Sequence, residues 1–213
     1  MNEILYTIGK LGIVPVVTMP DADVAVDLAE ALVSGGLPVI EIAFRTDAAE
    51  TALRRITKHT SDVLVGAGTV RSAAQVDQAI DAGAKFVVTP GFNHTVVDYC
   101  VRRGITVIPG VNSPIGVEMA VERGLDVLKF FPAEVSGGVS MIKALGGPYP
   151  DVSFIPTGGV NGANVAEYLA LPNVHACGGS WLTPKEHLVA RDLSEIPRLI
   201  REALAALKSV RSA

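Results

Sequence analysis

Little of this 213-residue chain is charged, aromatic or sulfur-bearing. Its two cysteines, Cys100 and Cys177, are too few for a disulfide scaffold and lack metal-ligand spacing. The four histidines, His59, His94, His175 and His187, show no HxxxH-like pattern, so no metal site is expected. Charged residues make up only 19%, with a net charge of −4, which argues against a general nucleic-acid binder. No stretch of 18 apolar residues runs uninterrupted, so no membrane span is expected. Met1-Asn2-Glu3-Ile4 lacks the basic region that opens a signal peptide. The default expectation is a cytoplasmic protein. Linkers, low-complexity tracts and charge blocks are also missing, and residues 1–213 read as one domain.

What is present is apolar. Hydrophobic residues reach 49%, and mean hydropathy is +0.39. That excludes a disordered chain. It also calls for doubly buried strands or a subunit interface to absorb the excess.

Eight short β-rich runs punctuate the chain. They begin near Ile13, Pro38, Val63, Phe86, Thr106, Asp126, Ser153 and His175, at intervals of 20 to 27 residues. Helix-like segments fill the gaps at 22–35, 46–59, 72–82, 94–103, 114–123, 138–146, 161–170 and 194–208. Asp21 and Ser72 suit N-caps, and Gly35-Gly36, Gly83 and Gly104 suit helix stops. The strand runs are nearly all apolar, as in a parallel sheet buried on both faces. Eight βα units of short period spell an α/β fold, a (β/α)8 TIM barrel. Residues 1–11 read as a short helix before the first strand, and 182–193 as the longest polar connection. An open doubly wound sheet would normally carry a Gly-rich turn after strand 1, where Met19-Pro20-Asp21 stands instead.

In such a barrel the active site forms at the C-terminal ends of the strands. The second strand ends Glu41-Ile42-Ala43-Phe44-Arg45-Thr46, and alternation places Glu41 and Arg45 on the interior face. They are either a structural ion pair or working groups. Of seven lysines, only Lys129 lies within an apolar strand. Burial disfavours the charged form of an amine. The neutral amine is the nucleophile that forms a Schiff base with a ketone. The alternative is a lysine that only holds a phosphate or pairs with Glu41. Phe130 and Phe131 would keep its surroundings dry.

The seventh and eighth strands end in Thr157-Gly158-Gly159 and Gly178-Gly179-Ser180. Paired glycines let backbone N–H groups approach an anion, at the usual phosphate position of these barrels. Small residues at Gly66-Ala67-Gly68-Thr69 and Pro90-Gly91 read as opening the mouth. Thr69 offers a hydroxyl there, and Ser113 is a weaker candidate. Trp181 and Phe92 suit the pocket rim or plain packing.

With Lys129-Phe130-Phe131-Pro132-Ala133-Glu134 and Pro156-Thr157-Gly158-Gly159 as its most specific pieces, this set resembles the 2-keto-3-deoxy-6-phosphogluconate (KDPG) / 4-hydroxy-2-oxoglutarate (KHG) aldolase family across nearly the whole chain. The resemblance implies a class I aldolase, needing no metal or cofactor, that cleaves 2-dehydro-3-deoxy-6-phosphogluconate to pyruvate and glyceraldehyde 3-phosphate. It implies Lys129 as the Schiff-base lysine and Glu41 as the general acid/base. Arg45 and Thr69 would take the substrate carboxylate, with Pro90 and Phe131 also lining the substrate site. Thr157 would meet the hydroxylated carbons. Gly158, Gly159, Gly179 and Ser180 would hold the phosphate. A homotrimer is implied as well.

Ala43, Phe44 and the Val111-Asn112-Ser113-Pro114 segment depart from the common family pattern. They leave gluconate-derived, galactonate-derived and shorter 4-hydroxy-2-oxoglutarate substrates open. Rival readings are a phosphosugar isomerase or epimerase, a non-enzymatic phosphate-binding barrel, and a metal-dependent pyruvate aldolase.

Overall fold

The computed structural model describes residues 2–211. Helix α1 (Glu3–Leu11) precedes β1 (Ile13–Val17), and α2 (Ala25–Gly35) leads to β2 (Val39–Ala43). The alternation continues with α3 (Ala48–His59), β3 (Leu64–Gly68), α4 (Ala73–Asp81), β4 (Phe86–Val88) and α5 (His94–Arg103). Next come β5 (Thr106–Ile108), β6 (Gly110–Val111), α6 (Pro114–Val121), β7 (Val127–Phe130), α7 (Gly138–Leu145) and β8 (Ser153–Pro156). The chain ends with α8 (Val165–Leu169), β9 (Cys177–Gly179), α9 (Lys185–Ala190) and α10 (Ile196–Arg211).

The strand pairs among the described residues are parallel. One sheet runs β5-β4-β3-β2-β1-β9 and the other β6-β7-β8. Pro109 divides the fifth expected strand in two, because it has no N–H to give a ladder. Before it, β5 pairs with β4; after it, β6 pairs with β7. The bridges Phe154↔Val174 and Thr157↔Gly178 link β8 to the β9 region. The ring therefore closes, and the fold is a (β/α)8 barrel.

Local chemistry explains the helix ends. Asn2 Oδ1 accepts the Ile4 N–H at 2.8 Å, and Ser72 Oγ accepts that of Gln75 at 3.2 Å. Asp21 caps a 3₁₀ turn, Ala22–Val24, which leads into α2. Gly36 and Gly104 stop α2 and α5 in the left-handed conformation, which lacks a Cβ penalty for glycine. The expected polar connection at 182–193 is not continuous, because α9 forms within it. Lys185-Glu186-His187-Leu188 is polar on most sides, so periodicity gave little sign of a helix there, and Leu188 alone is fully buried.

The apolar excess is largely spent between strands and helices. β1 and β2 are buried at every position. The larger core includes Leu28, Leu32, Ile40, Ile42, Leu53 and Ile56. A second cluster under β6–β8 includes Phe130, Phe154 and Tyr168. Helix α1 packs close to the β9 region: His175 Nε2 donates to the Leu5 carbonyl at 2.7 Å, and a Cβ on Gly9 would strike the His175 ring at 2.6 Å. No helix among the described residues is long and apolar enough to cross a membrane.

Candidate active site

Lys129 sits within β7 with its backbone fixed on both sides. Its N–H donates to the Pro109 carbonyl at 2.9 Å, and it stands in register with Gly110 and Ile155. Glu41 lies within β2, in register with Gly66 and Val16. Across the barrel interior, Lys129 Nζ donates to Glu41 Oε1 at 3.1 Å. Their side chains retain only 4% and 5% of their exposure. Two opposite charges in so dry a place satisfy each other, since an isolated buried charge is costly. The Phe131 ring centroid lies 5.3 Å from Lys129 Nζ, within cation–π range.

Gly68 makes room for this arrangement. A Cβ there would sit 2.1 Å from Glu41 Oε1. Gly66 does the same for the Phe86 ring, at 2.2 Å. These glycines thus correct one expectation: the space they leave is filled by neighbouring side chains rather than left as an open mouth. The sequence signal was present, but the occupants could not be named without the inter-strand register.

Arg45 lies just beyond the end of β2, in the following turn, and is exposed. Its Nε donates to Thr69 Oγ1 at 3.0 Å. Among the described residues its two terminal nitrogens have no acceptor within the chain. Thr69 has φ +56°, a left-handed conformation uncommon for a β-branched residue. Such strain persists where surrounding structure holds it, often at functional sites.

Pro90 and Phe131 line a hollow of about 350 Å³ together with Phe92, Ser113, Ile115 and Met119. That hollow does not include Lys129 or Glu41. Ser113 is thus beside Pro90 and Phe131 rather than at the buried pair. Thr157 is buried, and its hydroxyl lies where a Cβ on Gly178 would come within 2.3 Å. A Cβ on Gly179 would strike the Trp181 ring at 2.1 Å, so Trp181 packs on the β9 turn.

The Gly158-Gly159 turn has φ +97° and +87°, which only glycine adopts freely. Its carbonyls are taken. Gly158 O accepts from the Glu134 N–H at 3.1 Å, and Gly159 O from the side-chain amides of Asn161 and Asn164 at 3.0 and 3.1 Å. A trans peptide aims its N–H opposite its carbonyl. The Gly159 and Val160 N–H groups therefore point away from those partners, and among the described residues no acceptor takes them. The same holds for the Ser180 and Trp181 N–H groups. The free donors at the left-handed Gly158-Gly159 turn have the arrangement that suits an anion. Asn161 and Asn164, whose amides anchor the turn, were not singled out from sequence; both fall in the segment 161–170 expected as helix, whereas α8 begins only at Val165.

The histidines are each occupied elsewhere. His59 pairs with Glu30, His94 meets Arg123, and His175 and His187 bond backbone carbonyls. Among the described residues no three His, Cys, Asp or Glu side chains gather as a metal-ligand group. Cys100 is buried, and that burial pushes its thiol up to about 11.

A family model described as KDPG and KHG aldolase matches residues 4–199. The chain belongs to the KDPG and KHG aldolase family. Among curated relatives of this family, the 2-dehydro-3-deoxy-phosphogluconate aldolase of Haemophilus influenzae is 46% identical over 97% of this chain and 98% of its own. The KHG/KDPG aldolase of Escherichia coli K12 is 40% identical over 97% and 96%. A crystal structure of KDPG aldolase from Legionella pneumophila, with pyruvate captured at low pH as a covalent carbinolamine intermediate, superposes with a TM-score of 0.92. It is 37% identical and covers 95% of this chain and 98% of that one.

Proposed function

We propose that this member of the family is a class I aldolase that cleaves 2-dehydro-3-deoxy-6-phosphogluconate to pyruvate and glyceraldehyde 3-phosphate, with Lys129 as nucleophile and Glu41 as general acid/base. The observation that carries this reading is the buried Lys129–Glu41 pair at 3.1 Å. Glu41 is placed to take a proton from the ammonium and free the amine. The amine adds to the C2 ketone, and Glu41 returns its proton to the carbinolamine hydroxyl, which leaves as water to give an iminium and restores the carboxylate. Glu41, directly or through water, removes the C4 hydroxyl proton. The C3–C4 bond then breaks, its electron pair moving into the iminium to leave an enamine, and the aldehyde departs. Protonation of C3 and hydrolysis return pyruvate and the free lysine. One carboxyl group serves each of these proton transfers because they occur in sequence.

Arg45 suits the substrate carboxylate, since its two terminal nitrogens form a planar fork and Thr69 fixes its orientation through Nε. The free N–H groups of the Gly159 and Ser180 turns suit the phosphate. The test is a substrate panel of the gluconate- and galactonate-derived phosphorylated keto acids, their unphosphorylated forms and 4-hydroxy-2-oxoglutarate. We expect kcat/KM on the gluconate-derived substrate to fall on the order of a hundredfold when phosphate is removed, as for loss of several charge-assisted hydrogen bonds. Unchanged kcat/KM would overturn the phosphate assignment.

We also infer a homotrimer. Ile115 and Val121 on α6 are 66% and 48% exposed, and Val135 is 84% exposed. The resemblance to the family is what supports that arrangement, and burial of these side chains against a neighbouring subunit would add to its stability. Light scattering should give the trimer mass, and a monomer at every concentration would rule it out.

A further inference from the structure

Glu134 and Tyr168 lie outside the mechanism above, yet Glu134 touches the Gly158-Gly159 turn and Tyr168 holds Glu134. Tyr168 is fully buried within an otherwise apolar cluster. Its hydroxyl donates to Glu134 Oε1. Glu134 belongs to an exposed 3₁₀ turn after β7, where nothing else would hold its side chain in one place. Held by Tyr168, its stem lies against Gly159: a Cβ there would fall 2.3 Å from Glu134 Cγ and 2.7 Å from Cβ. The Glu134 N–H also binds the carbonyl of Gly158. On the far side, a Cβ on Gly138 would lie 3.2 Å from the Tyr168 hydroxyl and 3.5 Å from Glu134 Oε1. The carboxylate thus rests at the start of α7, where the helix N-terminus favours negative charge.

We propose that Tyr168 and Glu134 are a positioning pair that holds the Gly158-Gly159 turn in its anion-binding shape and keeps the Glu134 carboxylate turned away from the bound phosphate. Two consecutive glycines have the largest conformational freedom to lose on ordering. Asn161 and Asn164 pin the turn by its carbonyl, and the Glu134 stem packs its other face. Without the Tyr168 hydroxyl the stem would leave Gly159, and a mobile carboxylate would compete with an incoming anion. This inference rests on the phosphate reading of the turn.

The test compares wild type, Tyr168→Phe and Glu134→Gln as full chains on the gluconate-derived keto acid with and without its phosphate. For Tyr168→Phe, loss of a charge-assisted hydrogen bond predicts a rise in KM for the phosphorylated substrate of about tenfold. The unphosphorylated form should change by less than about twofold, and pyruvate should still be trapped on Lys129 by borohydride. Glu134→Gln keeps an oxygen for the Tyr168 hydroxyl and should restore the wild-type split. Hydrogen exchange in the peptide carrying residues 157–164 should quicken in Tyr168→Phe and not in Glu134→Gln. Should Tyr168→Phe fail to fold, Glu134→Ala, at an exposed residue, should give the same split and the same exchange. Equal losses on both substrates would reduce the pair to a structural role and overturn the proposal, as would unchanged exchange. If wild type itself ignores the phosphate, the phosphate reading fails, and the exchange result alone decides whether the pair orders the turn.

Discussion

Lys129→Ala should lower turnover of 2-dehydro-3-deoxy-6-phosphogluconate by a factor on the order of 10⁵ or more, as for removal of other covalent nucleophiles. Among the described residues Lys129 is the one buried lysine, and its amine donates to the Glu41 carboxylate. Borohydride with pyruvate should leave a stable secondary amine on the peptide that carries Lys129, and none in the variant. Lys129→Arg separates this reading from its isomerase rival. Arginine keeps a cation beside Glu41 but is not a nucleophile, because it stays protonated. The aldolase mechanism expects Lys129→Arg to be as inactive as Lys129→Ala. An arginine variant with substantial activity on a phosphorylated sugar, and no pyruvate adduct in wild type, would sink the Schiff-base role.

That pairing could be approached from sequence but not closed. Period-two alternation placed Glu41 on an interior face, and an apolar run placed Lys129 in a strand. Neither pattern says that two strands so far apart in sequence meet across the barrel. That follows from the closed ring of parallel strands and from the registers that set Glu41 beside Val16 and Gly66, and Lys129 beside Gly110 and Ile155. The barrel itself was legible because eight apolar runs at short intervals admit few topologies. Helix α9 was not, because a polar six-residue helix has almost no apolar stripe to read. The glycines mark the same limit. Gly158-Gly159 announced a turn that suits an anion, while Gly66 and Gly68 announced only small residues that open the mouth. Their partners Phe86 and Glu41 come from adjacent strands. Tyr168 drew no notice in the sequence, because its hydroxyl has meaning only with Glu134 standing against it.

Glu41→Gln should cost between about 10² and 10⁴ in kcat, the usual range for a general acid/base. The variant should still bind pyruvate covalently, though slowly, since Lys129 remains. Gly68→Ala should give a milder form of the same defect, because its Cβ would occupy the present place of Glu41 Oε1. Activity within tenfold of wild type in Glu41→Gln would remove Glu41 from the mechanism. Stability should move in a different pattern. Lys129→Met alone leaves the Glu41 carboxylate buried without its partner, and breaking a buried pair one member at a time costs about 3–5 kcal/mol at most. Replacing both members at once, as Glu41→Gln with Lys129→Met, removes the unpaired charge. The double variant should therefore be more stable than Lys129→Met in urea unfolding, and near wild type, although it is catalytically dead. A double variant no more stable than Lys129→Met would mean that the pair itself holds the barrel together, and simple additivity would mean that the two side chains do not interact. Recovery in the double variant would mean that the barrel carries a desolvated ion pair at its centre for the reaction it performs, because well-packed neutral residues would hold the same strands as firmly.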